Sequence, residues 1–353
     1  MSERSLALRA ARRALRSALS APPSLLRRIV GPAPTNDRGH ALDLQVQALL
    51  RAMVDRRKAA DEVGVGRMRR DFDLQVPLVD FAPLPMHRVE DRFIPGADGA
   101  IRVRVYEPAP RRDRLRPMCL YFHGGGWVIG GLDGYDGLCR HLAKHADCVV
   151  VSVDYRLAPE HRFPAAPRDA LAAYRWALER ASDLGADPRR IAVAGDSAGG
   201  NLAAVVAQQT RALATPPIFQ LLVYPATDLT RSMPSHRTYS TGYLLDEATI
   251  LWFLDQYLSD PARDVHDPLG SPIATHDLRG VAPAYVVTAG FDPLRDEGEA
   301  YARKLEAAGV PTTLRCEESL VHGFVSMGGV IDEARRAVDR GTDALARALA
   351  GDR

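Results

Sequence analysis

The chain is poor in cysteine, with four among 353 residues, at 119, 139, 148 and 316. None forms a CxxC pair, so neither a disulfide framework nor a thiolate metal site is expected, and isolated thiols of this kind suit a reducing, cytoplasmic compartment. No run of 18 apolar residues exists, which excludes a hydropathy-driven membrane span. Arginines interrupt every apolar stretch near the start, which argues against a secretory signal. Charge of one sign is also missing: 46 Lys and Arg against 44 Asp and Glu leave +2 overall. What basic excess there is lies in the first forty residues, an arm without interleaved aromatics, which speaks against a nucleic-acid partner. His141 and His145 have the i,i+4 spacing of a metal pair, but no further ligand motif accompanies them, so they read as a surface coincidence and no metal is expected.

What is present is glycine in two short, ordered clusters. The first is Gly195-Asp196-Ser197-Ala198-Gly199, a GxSxG pattern. It follows the apolar run at 190–194 and precedes an apolar-rich stretch from Asn201 to Ala207, which is the strand, tight turn and helix that the pattern requires. Small residues at 195, 198 and 199 let the chain turn sharply and lift the Ser197 hydroxyl clear of the strand end. Taken alone, the same five residues also describe an idle serine in a glycine-rich turn. The second cluster, His123-Gly124-Gly125-Gly126, ends a buried strand at 117–122. Uncovered amides of such a loop, with the N–H of Ala198, would hold an oxyanion at Gly124, Gly125, Gly126 and Ala198. A phosphate-cradling loop is the competing reading; it is disfavoured because no Lys-Ser/Thr pair follows.

Chain order selects the remaining partners. When nucleophile, acid and base follow one another in that order, His322 is the histidine that lies beyond every plausible acid, in a loop after the last candidate strand. Several carboxylates intervene. Asp292 directly ends the strand-like run 284–290 and is expected to orient the imidazole, with Asp296 as the fallback.

With these motifs in hand, the chain resembles the hormone-sensitive-lipase-like bacterial carboxylesterases of the α/β-hydrolase superfamily. The likeness rests on the HGGG and GDSAGG clusters, on 154–160, on 292–298 and on His322-Gly323-Phe324, and it spans about Ala41 to the C-terminus. It implies a serine esterase working through an acyl-enzyme on a small ester, with short to medium acyl chains. The resemblance places the nucleophile on Ser197, the acid on Asp292 and the base on His322, with the oxyanion donors in the Gly124–Gly126 run, chiefly Gly125 with one neighbour, and on Ala198. No cofactor is implied. The segment 154–160 reads as structural, since a turn after a buried strand explains its proline and charges. The same machinery would serve an amidase, lactonase or carbamate hydrolase. A ligand receptor on a hydrolase scaffold is the reading from another class; such receptors lose the base, and here His322 is intact.

The wider pattern is an antiparallel entry, 88–94 and 100–106, followed by strands at 117–122, 147–153, 191–195, 217–223, 284–290 and 312–316 with helical stretches between most of them. That alternation predicts an α/β fold with a mainly parallel eight-stranded sheet, helices on both faces and a helical cap. The catalytic domain is expected over 88–353, with a cap insertion at about 228–265 in which Asp246 is an N-cap, and an N-terminal cap segment over 41–87. Residues 1–40 depart from the family. They hold eight arginines against Glu3 and Asp37, a net of +6, so the remainder of the chain is −4. Arg9, Arg12, Arg13 and Arg16 share one helical face, opposite Leu8, Leu15 and Leu19. A basic, solvated and partly ordered arm that precedes the cap is expected, with weak surface association or a transit peptide as further readings. The chain is expected to be a monomer or homodimer.

Overall fold

The computed structural model describes residues 3–54, 64–110 and 114–351. Eight strands form one sheet: β1 (Arg88–Pro95), β2 (Ala100–Glu107), β3 (Arg116–Phe122), β4 (Val149–Asp154), β5 (Ala186–Asp196), β6 (Phe219–Val223), β7 (Ala284–Phe291) and β8 (Thr312–Val321). Their order is β1-β2-β4-β3-β5-β6-β7-β8. Pairing is antiparallel from β1 through β2 to β4 and parallel from there on. The chain has the α/β-hydrolase fold.

Period-two alternation decides which face each side chain takes. Leu120, Phe122, Val151, Val153 and Val193 join one apolar core, where the helices Ala165–Arg180, Ala198–Gln209 and Arg295–Ala307 pack. Cys119, Tyr121, Val150, Ala192 and Ala194 point the other way, into a second core closed by the helices Asp136–His145 and Asp332–Ala350. Both faces are therefore covered, as an internal parallel sheet demands.

Strand β8 runs to Val321, five residues beyond the expected end. Glu317 and Glu318 look like turn residues in sequence, yet each has a partner that lets it stay on a strand. Glu317 takes hydrogen bonds from Arg315 and Arg340, and Glu318 from Asn36 and Arg38. In the insertion, the helix Glu247–Tyr257 starts where Asp246 caps it, the carboxylate accepting the Thr249 N–H at 2.8 Å. Residues 55–63 of the expected cap segment lie outside the described residues; the helices Leu44–Val54 and Val65–Val79 flank them.

The first forty residues are more ordered than the expected partly ordered arm, although most of their side chains are exposed. They form two helices, Glu3–Leu19 and Pro23–Val30, laid against the body. Leu19 and Leu26 are buried, and Gln45 donates to the carbonyl of Leu19. Two of the four arginines assigned to solvent turn inward: Arg12 donates to Pro77 O at 3.2 Å, and Arg16 to Gly329 O at 3.0 Å. These are main-chain acceptors, at a helix end and in a turn, and sequence periodicity does not reveal them. His141 is likewise no surface residue. It is buried, with Nε2 2.9 Å from Asp339, and burial pushes its pKa down to about 4. Among the described residues no helix is long and apolar enough to cross a membrane.

Candidate active site

Ser197 occupies the crest between β5 and the helix Ala198–Gln209, with φ 54° and ψ −120°. A non-glycine residue in that region is strained, and close packing on both sides holds it there. A methyl group on Gly199 would overlap the carbonyl of Phe122, and one on Gly195 would overlap the carbonyl of Gly199. The three-glycine loop must therefore lie beside the turn, because Phe122 is the last residue of β3 and His123 follows it.

The imidazole of His322 bridges the other two expected side chains. Its Nε2 lies 3.0 Å from Ser197 Oγ and its Nδ1 2.8 Å from Asp292 Oδ2. Asp292 is fully buried; its second oxygen accepts the Leu294 N–H at 2.8 Å. Asp296, the fallback acid, is engaged elsewhere: it accepts from Ser235 N and from the Arg295 guanidinium. The ring of Tyr224 packs at 4.5 Å from that of His322.

The expected oxyanion set needs one correction. The N–H of Gly124 donates to Asp196 Oδ1 at 2.9 Å and also meets Tyr135 Oη at 3.1 Å. A donor already held this way is not free for a ligand. The N–H groups of Gly125, Gly126 and Ala198 have no acceptor among the described residues. Gly125 and Gly126 take φ of 118° and 59°, which a side chain would resist.

Pattern matching names Asp196 only as the variable residue of the GxSxG turn, although it organises the loop. It is buried, and besides Gly124 it accepts from Tyr121 Oη at 2.7 Å and Tyr135 Oη at 3.1 Å. Burial raises its pKa to about 6, against the lowering effect of the tyrosine hydroxyls. The sequence signal, visible in retrospect, is a set of tyrosines at or just past strand ends, Tyr121, Tyr155 and Tyr224. Tyr155 Oη donates to the carbonyl of His123 at 2.7 Å and its ring stacks on the imidazole. The segment 154–160 braces the same loop: Arg156 donates to buried Asp169, and Ala158 N to Trp127 O. It has the structural part that its composition suggested. From above, the helix Glu247–Tyr257 closes down: Phe253 sits where a side chain on Gly126 would go, and Tyr257 stacks on Trp127 at 4.3 Å.

Together these elements set a hydroxyl, an imidazole and a buried carboxylate in line, with free amides beside the hydroxyl. That arrangement can form and cleave an acyl bond.

Comparison with known proteins agrees with this geometry. The family model described as alpha/beta hydrolase fold matches residues 119–326. Esterase LipI of Mycobacterium tuberculosis is 44% identical over 324 residues, covering 90% of this chain and 98% of its own length. Carboxylesterase NlhH of the same organism is 47% identical over 299 residues, covering 82% and 91%. Among solved structures, an ester hydrolase from the metagenome of Lake Arreo, complexed with a derivative of bipyridine phosphonate, superposes with a TM-score of 0.81. It is 39% identical and covers 85% of this chain and 96% of that one.

Proposed function

From the premise that this chain belongs to the hormone-sensitive-lipase-like carboxylesterases of the α/β-hydrolase superfamily and is a serine carboxylic-ester hydrolase, we propose that Ser197, His322 and Asp292 are its nucleophile, base and acid. His322 Nε2 takes the Ser197 proton as Oγ attacks the ester carbonyl, while Asp292 holds Nδ1–H and stabilises the imidazolium. The tetrahedral oxyanion sits against the N–H groups of Gly125, Gly126 and Ala198, at the positive end of the helix Ala198–Gln209. Collapse expels the alcohol, protonated by His322, and leaves the acyl group on Oγ. Water, deprotonated by the same imidazole, then attacks the acyl carbonyl and releases the acid. No step calls for a metal or an organic cofactor.

The observation that carries this reading is the single imidazole in contact with both Ser197 and Asp292, residues 125 and 30 positions away in the chain. Ser197→Ala is expected to lower kcat on an aryl acetate by at least about 10⁴-fold, and a serine-directed phosphonate to add its mass to Ser197 alone. Retained activity in the alanine variant, or label elsewhere, refutes the assignment.

Short- to medium-chain acyl esters are the proposed substrates. A cleft of about 410 Å³ is lined by Val30, Leu42, Leu50 and Tyr243 among others, a size suited to a small ligand. Its wall at Thr241–Tyr243 continues into Leu244, whose side chain lies against Gly323, next to the base. Leu50→Trp should cut kcat/KM for an aryl octanoate by about tenfold, roughly the loss of a few methylenes of contact, and leave the acetate within twofold. An equal change on both esters relative to the wild type would remove the cleft from the substrate path. The same reading makes a small ester the partner of a monomer or homodimer, and four free cysteines support a cytoplasmic setting.

A further inference from the structure

We propose that the N-terminal helix pair, chiefly the outward face of Pro23–Val30, is a docking surface for an anionic lipid bilayer. From Arg4 to Asn36 the chain has seven arginines and no Asp or Glu. The fold uses Arg12 and Arg16 inwardly, on Pro77 O and Gly329 O. Arg13, Arg27 and Arg28 remain exposed, and no described carboxylate lies within ion-pair distance of them. Residues 1–40 as a whole carry +6 and the rest of the molecule −4, so the charge is polarised toward one segment.

Charge alone would suit any polyanion; the apolar residues select a bilayer. Helical spacing puts Leu26 and Val30 on one side of Pro23–Val30 and Leu25, Arg28 and Ile29 on the other. The inner side is accounted for, since Leu26 is buried and Val30 lines the cleft. The outer side is not: Leu25 is 47% and Ile29 61% exposed, and Leu6 on the preceding helix is 51% exposed. Three of the eight large hydrophobics that the described residues expose thus lie within 24 positions of one another, a stretch that also holds the exposed Arg13, Arg27 and Arg28. A face of aliphatic side chains flanked by arginines inserts its apolar part at the level of lipid headgroups while the cations meet phosphates. Nucleic-acid recognition would call for aromatic or amide side chains to stack on or read bases, and this face has none. The arrangement also has a use. Val30 belongs to both the docked helix and the cleft wall, so an ester dissolved in the bilayer would meet the cleft at its rim.

The test is sedimentation of the full-length protein with vesicles of phosphatidylcholine, with or without about one quarter phosphatidylglycerol. Binding is expected only to the anionic vesicles, falling at least tenfold as salt rises from about 50 to 500 mM. Leu25→Ser/Ile29→Ser and Arg27→Glu/Arg28→Glu should each weaken it by about tenfold or more, with aryl acetate hydrolysis in solution unchanged and so reporting an intact fold. Absence of sedimentation at low salt overturns the proposal. So does binding that the serine variant retains in full and that duplex DNA competes away, which would mark a general polyanion site. Because hydrolysis is read separately, failure here leaves the esterase assignment standing, and failure of that assignment does not alter the vesicle result.

Discussion

The carboxylate of Asp196 receives hydrogen bonds from Tyr121, Tyr135 and the N–H of Gly124, and so ties the Ser197 turn to the three-glycine loop. Asp196→Asn keeps the shape but turns one acceptor into a donor that faces a tyrosine hydroxyl. The loop should lose its register, and kcat should fall by about 10- to 100-fold, the scale of one misplaced oxyanion donor, with KM little changed. A pH effect follows from the raised pKa of about 6. A carboxyl group that is harder to ionise in the folded state stabilises the fold when protonated. Its contribution is complete below the ordinary value near 4 and is lost as pH rises through about 6, on the order of 3 kcal/mol in all. Urea unfolding at pH 4.5 and 7 should show the wild type losing more stability than the asparagine variant over that interval; equal losses would mean that Asp196 ionises normally. The grouping of Ser197, Asp292 and His322 was legible in sequence because each of the three stands in a short pattern with its own strand context. Asp196 and its tyrosines were not, since a hydrogen-bond hub is assembled from residues 121, 124, 135 and 196 that share no local motif.

Among the elements, strands were the most readable. Their positions are set by continuous burial on both faces, which leaves near-unbroken apolar runs at β3, β4, β6 and β7. Where tertiary partners override composition the reading fell short, as at β8, whose two glutamates stay on the strand through ion pairs with arginines at 38, 315 and 340. The insertion was readable as a helix from its Asp246 cap and apolar spacing, but its target was not. That target is the three-glycine loop: Phe253 fills the space over Gly126, and Tyr257 stacks on Trp127. Phe253→Ala should therefore do more than vacate a buried apolar site. With the ring gone, water reaches the free amides, and kcat/KM for aryl acetate should fall by about tenfold while the unfolding midpoint moves by only a few degrees. A large drop in midpoint with unchanged kcat/KM would reduce the helix to ordinary packing.

At the scale of the whole molecule, one of the ties that hold the first forty residues to the end of the sheet beside Asp292 is a buried cation. Arg295, three residues after Asp292, is 3% exposed and donates to both oxygens of Asp37, at 2.6 and 2.8 Å, and to Asp296. Its guanidinium also lies 5.2 Å from the centre of the Tyr239 ring, and the Tyr239 hydroxyl donates to Asp37 at 2.7 Å. Removing one partner of a buried cation leaves its desolvation uncompensated. Asp37 itself is about two-fifths exposed and Asp296 remains, so the cost of Asp37→Asn should be about 1–2 kcal/mol, below that of a fully buried pair. The hydrogen bonds from Arg295 hold the Asp37 carboxyl far below its ordinary pKa. A group depressed in the folded state contributes all of its stabilisation above its unfolded value near 4 and loses it only as pH falls toward the folded one. The deficit of the asparagine variant should accordingly be the same at pH 5.5 and pH 8 in urea unfolding, unlike the pH-dependent behaviour at Asp196. Should it grow between those two values, the interaction would be governed by a group titrating in that range, and the link from the N-terminal helices to the Asp292 turn would have to run through something other than this ion pair.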